Sequence, residues 1–505
     1  MFKTAVSWGM EREESPRCID INRQQLVMRT IDVEELIGSD HPARALWQLT
    51  GELDLSEFYA PIKSLADGPG RSCFDPRLLI CVWLYGYSRG IGSARELARL
   101  IDIDPALQWL TGLDTINHHT LADFRVDHKG ALDELFTQVL GVLLHEGLIT
   151  LERVTQDGTK IKAQAALGSF RTSGPIQQHL KIARQHVAAM NNAPQDADKA
   201  RTGRAAERAA RERADRLDCA LQEIEKLRAS KKKDRRTFIP KVSETEPEAR
   251  VMRTNEGGFA ASYNAQISTD GKHGFILSSV LTNEVNDRHQ LKPAIERIQS
   301  VCGRIPRQML ADGDFTNNAS VIAAAEAGID FYGSWSESAR DSASAKKALA
   351  SAEFQREKFR YDSDQDIYVC PADKVLKPTR NIRHSDGSVQ IVYRSPAKQC
   401  HACPWHKQCC PPSPRRGGRQ ITRQGILAPV AAFQAKMRTP EAQSIYRDRG
   451  RIAEFPHAWI KDKFRLRRFH VRGLLKAGVE LTWAALTFNL LALYRFRRVQ
   501  LATAP

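Results

Sequence analysis

One strand that the chain leaves and later rejoins constrains the fold more than any other feature. The stretch "LITLERVTQDGTKIKAQA" alternates apolar and polar side chains and breaks at Gly158, which reads as a strand. The chain then departs into a long basic helix and returns as two strands, "GGFAASYNAQISTD" and "GFILSSVLTNEVND", joined by a turn at Gly271. A helix, "QLKPAIERIQSV", leads to "RQMLADGDF", a short apolar run ending in acids. "NNASVIAAAEAG" starts another helix with Asn318 near its cap, and "IDFYGSW" is a further short strand. Strand, insertion, two strands, helix, strand, helix describes a mixed α/β core interrupted by inserts.

Around this core, 505 residues leave room for further units. Residues 1–30 form a leader without the apolar run of a signal peptide. Residues 31–150 read as helical: Pro76 opens the apolar run "DPRLLICVWLYGYSRG", Ser93 is a plausible N-cap, and Leu97, Leu100 and Ile101 share one face. "TINHHTLADFRVDH" follows, with Leu121, Phe124 and Arg125 in helical register. This succession suits a helix-turn-helix-like DNA reader or an ordinary bundle. The core is expected over 151–180, 239–340 and 430–505, interrupted by a basic helical insertion at 181–238 and a cysteine-rich one at 341–429. The first insertion holds 14 basic and 7 acidic residues between Lys199 and Arg236. Its stripe of Leu217, Leu221, Ile224 and Leu227 fits an arm or hairpin that touches DNA or a second subunit, or a solvated charged helix.

Composition narrows the partners. A net charge of +16 with a pI near 9.4 points to polyanions, nucleic acid ahead of membrane. The longest apolar run, "GVELTWAALTFNLLALYRF", contains Glu480 and ends in "RFRR", so a buried helix is expected and no membrane span.

Three acids stand out. Asp157 and Asp312 each lie at the end of a strand candidate, and Glu454 heads a run of cations and apolar residues. Carboxylates at the ends of neighbouring strands converge on one sheet edge, where their repulsion calls for a cation. Oxygen ligands without a local His/Cys set suit Mg²⁺ or Mn²⁺, and a pair of such ions suits phosphodiester cleavage. Taken singly, each acid reads as a turn or cap residue. Pro456 fits the first turn of a helix and would place Glu454 at its mouth, with Lys461 close to two turns on along the same face. Lys461 to Arg498 holds 10 basic residues against Asp462 and Glu480, among them Arg467, Arg468 and Arg472, which favours phosphate contact. Trp459 would either stack on an unpaired base or pack inward.

In this order, with a large insert before the glutamate, Asp157, Asp312 and Glu454 resemble the DDE transposases of bacterial insertion sequences. Tyr446, Arg449, Glu454 and Lys461 follow the family's tyrosine, arginine, glutamate, lysine order, and "LRRFHVRGL" is similar to its usual continuation. The resemblance implies an RNase H-like core and a helical N-terminal domain that binds the inverted repeats at the element's ends. It also implies two Mg²⁺ or Mn²⁺ ions held by Asp157, Asp312 and Glu454, DNA strand cleavage, and transfer of the freed 3′-OH into target DNA. A homodimer on DNA and a place in the bacterial cytoplasm with the nucleoid follow from the same likeness. Arg449 stands one residue further from the glutamate than in the common pattern, which leaves Arg451 as an alternative phosphate contact. "ADGDF" departs from the family's usual phrase, so Asp314 is the alternative to Asp312. A catalytically inactive, transposase-derived DNA-binding protein is the rival reading.

Cys370, Cys400, Cys403, Cys409 and the adjacent Cys410 crowd into 41 residues. In a reduced protein this spacing favours one closed, structural Zn²⁺ on Cys370, Cys400, Cys403 and Cys409, with His401 and His406 as alternative ligands. Such a staple suits an insert expected to have little core of its own. Four thiolates leave no open position for zinc hydrolysis. A four-cysteine insert also matches one branch of the family.

Overall fold

Six strands build the central sheet around Arg153–Lys162 (β1). One edge of β1 pairs antiparallel with Phe259–Asp270 (β3), which carries both Arg250–Arg253 (β2) and Ile276–Thr282 (β4) on its far side. The other edge pairs parallel with Gln308–Ala311 (β5), which in turn pairs parallel with Asp330–Gly333 (β6). The computed structural model describes residues 24, 26, 28, 30–63, 72–191, 200–230, 238–254, 257–335, 351–383, 389–410, 418–425 and 427–503. Most of the leader and the linkers of both inserts lie outside them.

Pattern and outcome differ at β1. The strand runs straight through Gly158, and Asp157 sits in its middle rather than at its end. The partner is what stops: β5 ends at Ala311, opposite Gln156.

The N-terminal region is helical as expected, with α1 (Pro42–Gly51), α2 (Pro76–Ser88), α3 (Ala94–Ile101), α4 (Pro105–Thr111), α5 (His118–Asp127) and α6 (Lys129–His145). Asp75 caps α2 at the Arg77 amide and Ser93 caps α3 at the Glu96 amide. In α5, Leu121, Phe124 and Arg125 turn into the core, and the exposed residues include His119, Asp123 and Asp127. That partly acidic face is poorly suited to a phosphate backbone.

These helices and the sheet share one apolar core because the last helix, α13 (Leu474–Thr503), packs between them. By length and composition α13 could cross a membrane, yet 78% of its apolar window is buried inside the fold. Asn489 both accepts from and donates to the Ile276 backbone at 2.9 and 2.8 Å, fixing α13 to β4. Trp483 donates to the Arg125 carbonyl at 3.1 Å, fixing it to α5. Between these, Glu480 is fully buried, 3.6 Å from the buried Arg125 guanidinium, and it accepts the His470 amide at 2.8 Å.

Both inserts form small bodies of their own. α7 (Ser173–Asn191) and α8 (Ala200–Ser230) pair as a hairpin whose core includes Ile176, Leu180, Leu217 and Ile224. The apolar stripe read in the sequence is therefore the hairpin's internal seam. The cysteine-rich insert is a five-stranded antiparallel sheet spanning Arg360–Asp362, Ile367–Val369, Val375–Arg383, Val389–Arg394 and Gln420–Gly425. It buries Phe354, Phe359, Tyr368, Leu376, Tyr393 and Ile421, so it has more core than its composition suggested.

Removing one partner of a buried ion pair strands the other. Arg125→Met is expected to cost about 3 kcal/mol in a urea unfolding titration, because the buried Glu480 loses its guanidinium partner and keeps only the His470 ring and amide.

Candidate active site

The parallel register of β1 and β5 puts the first two acids side by side. Gln156 faces Ala311, so Asp157 and Asp312 are the next residues on each strand and share a face of the sheet. Asp312 is held by its own turn, its Oδ1 accepting the Asp314 and Phe315 amides at 2.9 and 3.3 Å. Asp314 is exposed beyond that turn, so the structure puts Asp312 at the strand end. Burial pushes the Asp312 carboxyl above the usual carboxylate range, and the charge of Asp157 pushes it the same way. Burial also raises Asp157, against the pull of the Gly158 amide and of Arg449, whose Nη1 lies 3.6 Å away. Arg451 is exposed, which makes Arg449 the arginine that reaches the acids.

Glu454 is reached differently from the sequence expectation. It lies near the end of α12 (Pro440–Ala458), and Pro456 sits inside that helix rather than in its first turn. The real start is Thr439, which caps the Ala442 amide, followed by Pro440 at the first position. Pro456 has no N–H to offer, and the helix relaxes beyond it into a wider π-turn over Trp459–Lys463. Glu454 is exposed, and it lines a cleft of about 330 Å³ with Asp157, Gly158, Lys160, Lys162, His457, Lys461 and Arg467. Glu454 and Lys461 thus do share a face.

The cleft is a gap beside β1. Parallel pairing with β5 stops at Gln156, and the next parallel contact on this edge is an isolated bridge at Lys162, which bonds the backbones of Arg467 and Phe469 at 3.0 Å each. Between these contacts the edge of β1 has no strand beside it among the described residues. Of the other basic residues singled out, Arg467 pairs with Asp462 at the cleft and Arg468 donates to the Ala163 carbonyl at 2.6 Å. Arg472 is exposed before α13. Trp459 packs inward against Phe455 and Phe488, with the Arg495 guanidinium 4.3 Å over its ring, so it does not offer a face to a base.

Two residues of this region were missed from sequence. His457, three positions after Glu454, has an enclosed Nε2 without a hydrogen-bond partner, and burial pushes its pKa down to about 4. Asp287, in the loop after β4, is buried against Gly158. Its only signal was an acid following a strand.

No group of three or more His, Cys, Asp or Glu side chains is arranged to hold a metal ion among the described residues. The donor chemistry nonetheless suits a hard cation: burial holds both aspartate carboxyls above their usual range, the charge of Asp157 adds to the rise at Asp312, and a third acid, Glu454, lines the same cleft and raises Asp157. In the insert, Cys370, Cys400, Cys403, Cys409, Cys410 and His406 line one small pocket, while His401 is exposed. The Lys374 amide points at Cys370 Sγ (3.3 Å) and the Arg419 amide at Cys400 Sγ (3.2 Å). Burial and the neighbouring sulfurs push Cys410 up to about 12.

Residues 31–127 match the transposase domain family DUF772, and residues 369–494 match the transposase DDE domain family. The second match contains Glu454 and the clustered cysteines, and Asp157 and Asp312 lie outside both. No curated protein and no solved structure matches the chain. Two transposase matches in one chain, in this order, identify it as a transposase with a DDE domain behind an N-terminal transposase domain.

Proposed function

We propose that the protein cuts DNA at the ends of its element and joins the freed 3′-OH to target DNA on an RNase H-like core. A DDE domain implies DNA transposition, and the observation that carries the finer reading is the register placing Asp157 beside Asp312, with Glu454 in the adjoining cleft. These three carboxylates would hold two Mg²⁺ or Mn²⁺ ions, which supply Lewis acidity for phosphodiester cleavage. Arg449 orients Asp157. Lys160, Lys162, Lys461 and Arg467 on the cleft walls bind the phosphates flanking the cut. His457, neutral at working pH, keeps positive charge out of the space between the acids. Joining two element ends requires at least a dimer on DNA. In the insert, Cys370, Cys400, Cys403 and Cys409 would bind a structural Zn²⁺ that adds to the folding energy of the five-stranded sheet.

Linear DNA carrying the gene's flanking sequence, incubated with Mg²⁺, should be nicked at discrete positions. Glu454→Ala should slow this by about 10²–10³-fold or more. Tight binding of those flanks without cutting in either Mg²⁺ or Mn²⁺ would instead favour the inactive DNA-binding protein. In chelator, Asp312→Asn relieves repulsion with Asp157, so its Tm should rise by roughly 1–2 °C while cleavage is lost. Metal analysis of purified protein should find roughly one zinc per chain, and Cys400→Ser should release it.

A further inference from the structure

Asp287 is a carboxylate with no part in the reaction as so far described, and its surroundings are unusually specific. It is buried, and its Oδ1 accepts from Asn264 Nδ2 and Gln266 Nε2, each at 2.6 Å. Gln266 in turn accepts from Gln156 Nε2 at 2.9 Å, and Gln156 accepts from the Ser268 hydroxyl at 2.6 Å. The donors of this relay run toward Asp287, whose Oδ1 is the acceptor at its end. Its second oxygen lies 3.4 Å from Lys160 Nζ.

Gly158 is the counterpart. A Cβ at that position would stand 2.5 Å from Asp287 Oδ1 and 2.7 Å from Gln266 Nε2. The glycine after Asp157 thus makes room for the Asp287 and Gln266 side chains against β1 and sits in no turn. Gly158 and Lys160 lie on the same face of β1, opposite to Asp157. Both faces meet at the open edge beyond the end of β5, where Lys160 lines the same cleft as Asp157. The loop carrying Asp287 also touches the other acid's turn, since Asn317 Nδ2 donates to the Arg288 carbonyl at 2.7 Å.

We infer that Asp287 is a positioning residue for DNA cleavage: with Asn264 and Gln266 it fixes Lys160 on the cleft wall as a phosphate-binding cation. The lysine is only 13% exposed, so its direction is set by this partner rather than by solvent. This inference rests on the proposed cleavage reaction.

Two measurements decide it. In single-turnover cleavage of the flanking DNA, Lys160→Met and Asp287→Asn should each slow cutting by about 10²-fold. The double variant should then fall within about threefold of Lys160→Met, because both changes remove one interaction. Lys160→Met cutting at the wild-type rate overturns the inference, even if Asp287→Asn fails to fold, and so do losses that multiply. In the DNA-free protein, an amine-acylating reagent read by mass spectrometry should label Lys160 faster in Asp287→Asn by about threefold, with other lysines unchanged. Equal labelling overturns the pairing. A wild-type protein that never cuts counts against the cleavage reading, and the labelling result still decides the Asp287–Lys160 pair.

Discussion

The parallel ladder between Arg153–Gln156 and Gln308–Ala311 sets the position of nearly everything that matters in this molecule. It joins segments separated by the basic hairpin and three further strands of the same sheet, and it fixes register by backbone hydrogen bonds. Two aspartates follow directly in that register and cannot move apart without breaking it. Their repulsion is tempered by Arg449 on one side and by turn amides on the other, yet burial still holds both carboxyls above their ordinary range. A folded protein keeps such an arrangement at a cost in stability, which is the usual mark of a site shaped for a ligand. The same ladder, by ending early, opens the edge of β1 and so creates the cleft.

The last helix ties this site to the N-terminal region. α13 lies between β4 and α2, α5 and α6, and its one buried acid, Glu480, meets both Arg125 from the N-terminal region and His470 from the segment that bridges to β1 at Lys162. The region matched to the N-terminal transposase domain and the cleft therefore share a core. The helical hairpin and the five-stranded sheet have separate cores, which lets the chain carry both without disturbing the register at Asp157.

Local signals in the sequence reached far. Alternation located β1, a short apolar run located β5, the stretches read as strands beside Gly271 and at "IDFYGSW" are β3, β4 and β6, and Pro76 and Ser93 marked two helix starts that the structure has. Where the reading failed, tertiary context decided. Gly158 looked like a strand break because the side chains it makes room for, Asp287 and Gln266, are distant in sequence. Pro456 looked like a helix start because a proline inside a helix is tolerated only when the next turn can widen, as it does at Trp459. The stronger start signal, Thr439–Pro440, lay further upstream. Asn318, by contrast, does stand next to its helix cap, as the first residue of the helix Asn318–Glu326 after the capping Asn317. Asp287 was invisible because a lone acid after a strand is ordinary, and only the donors converging on it give it meaning.

The central claim is that Asp157, Asp312 and Glu454 act together on a divalent cation. Isothermal titration of Mn²⁺ tests it most directly, comparing wild type with Glu454→Ala and with Glu441→Ala at the far end of the same helix. The account predicts that Glu441→Ala binds as wild type does, and that Glu454→Ala, with its fold intact, binds at least about tenfold more weakly. Equal affinity in wild type and Glu454→Ala would contradict it.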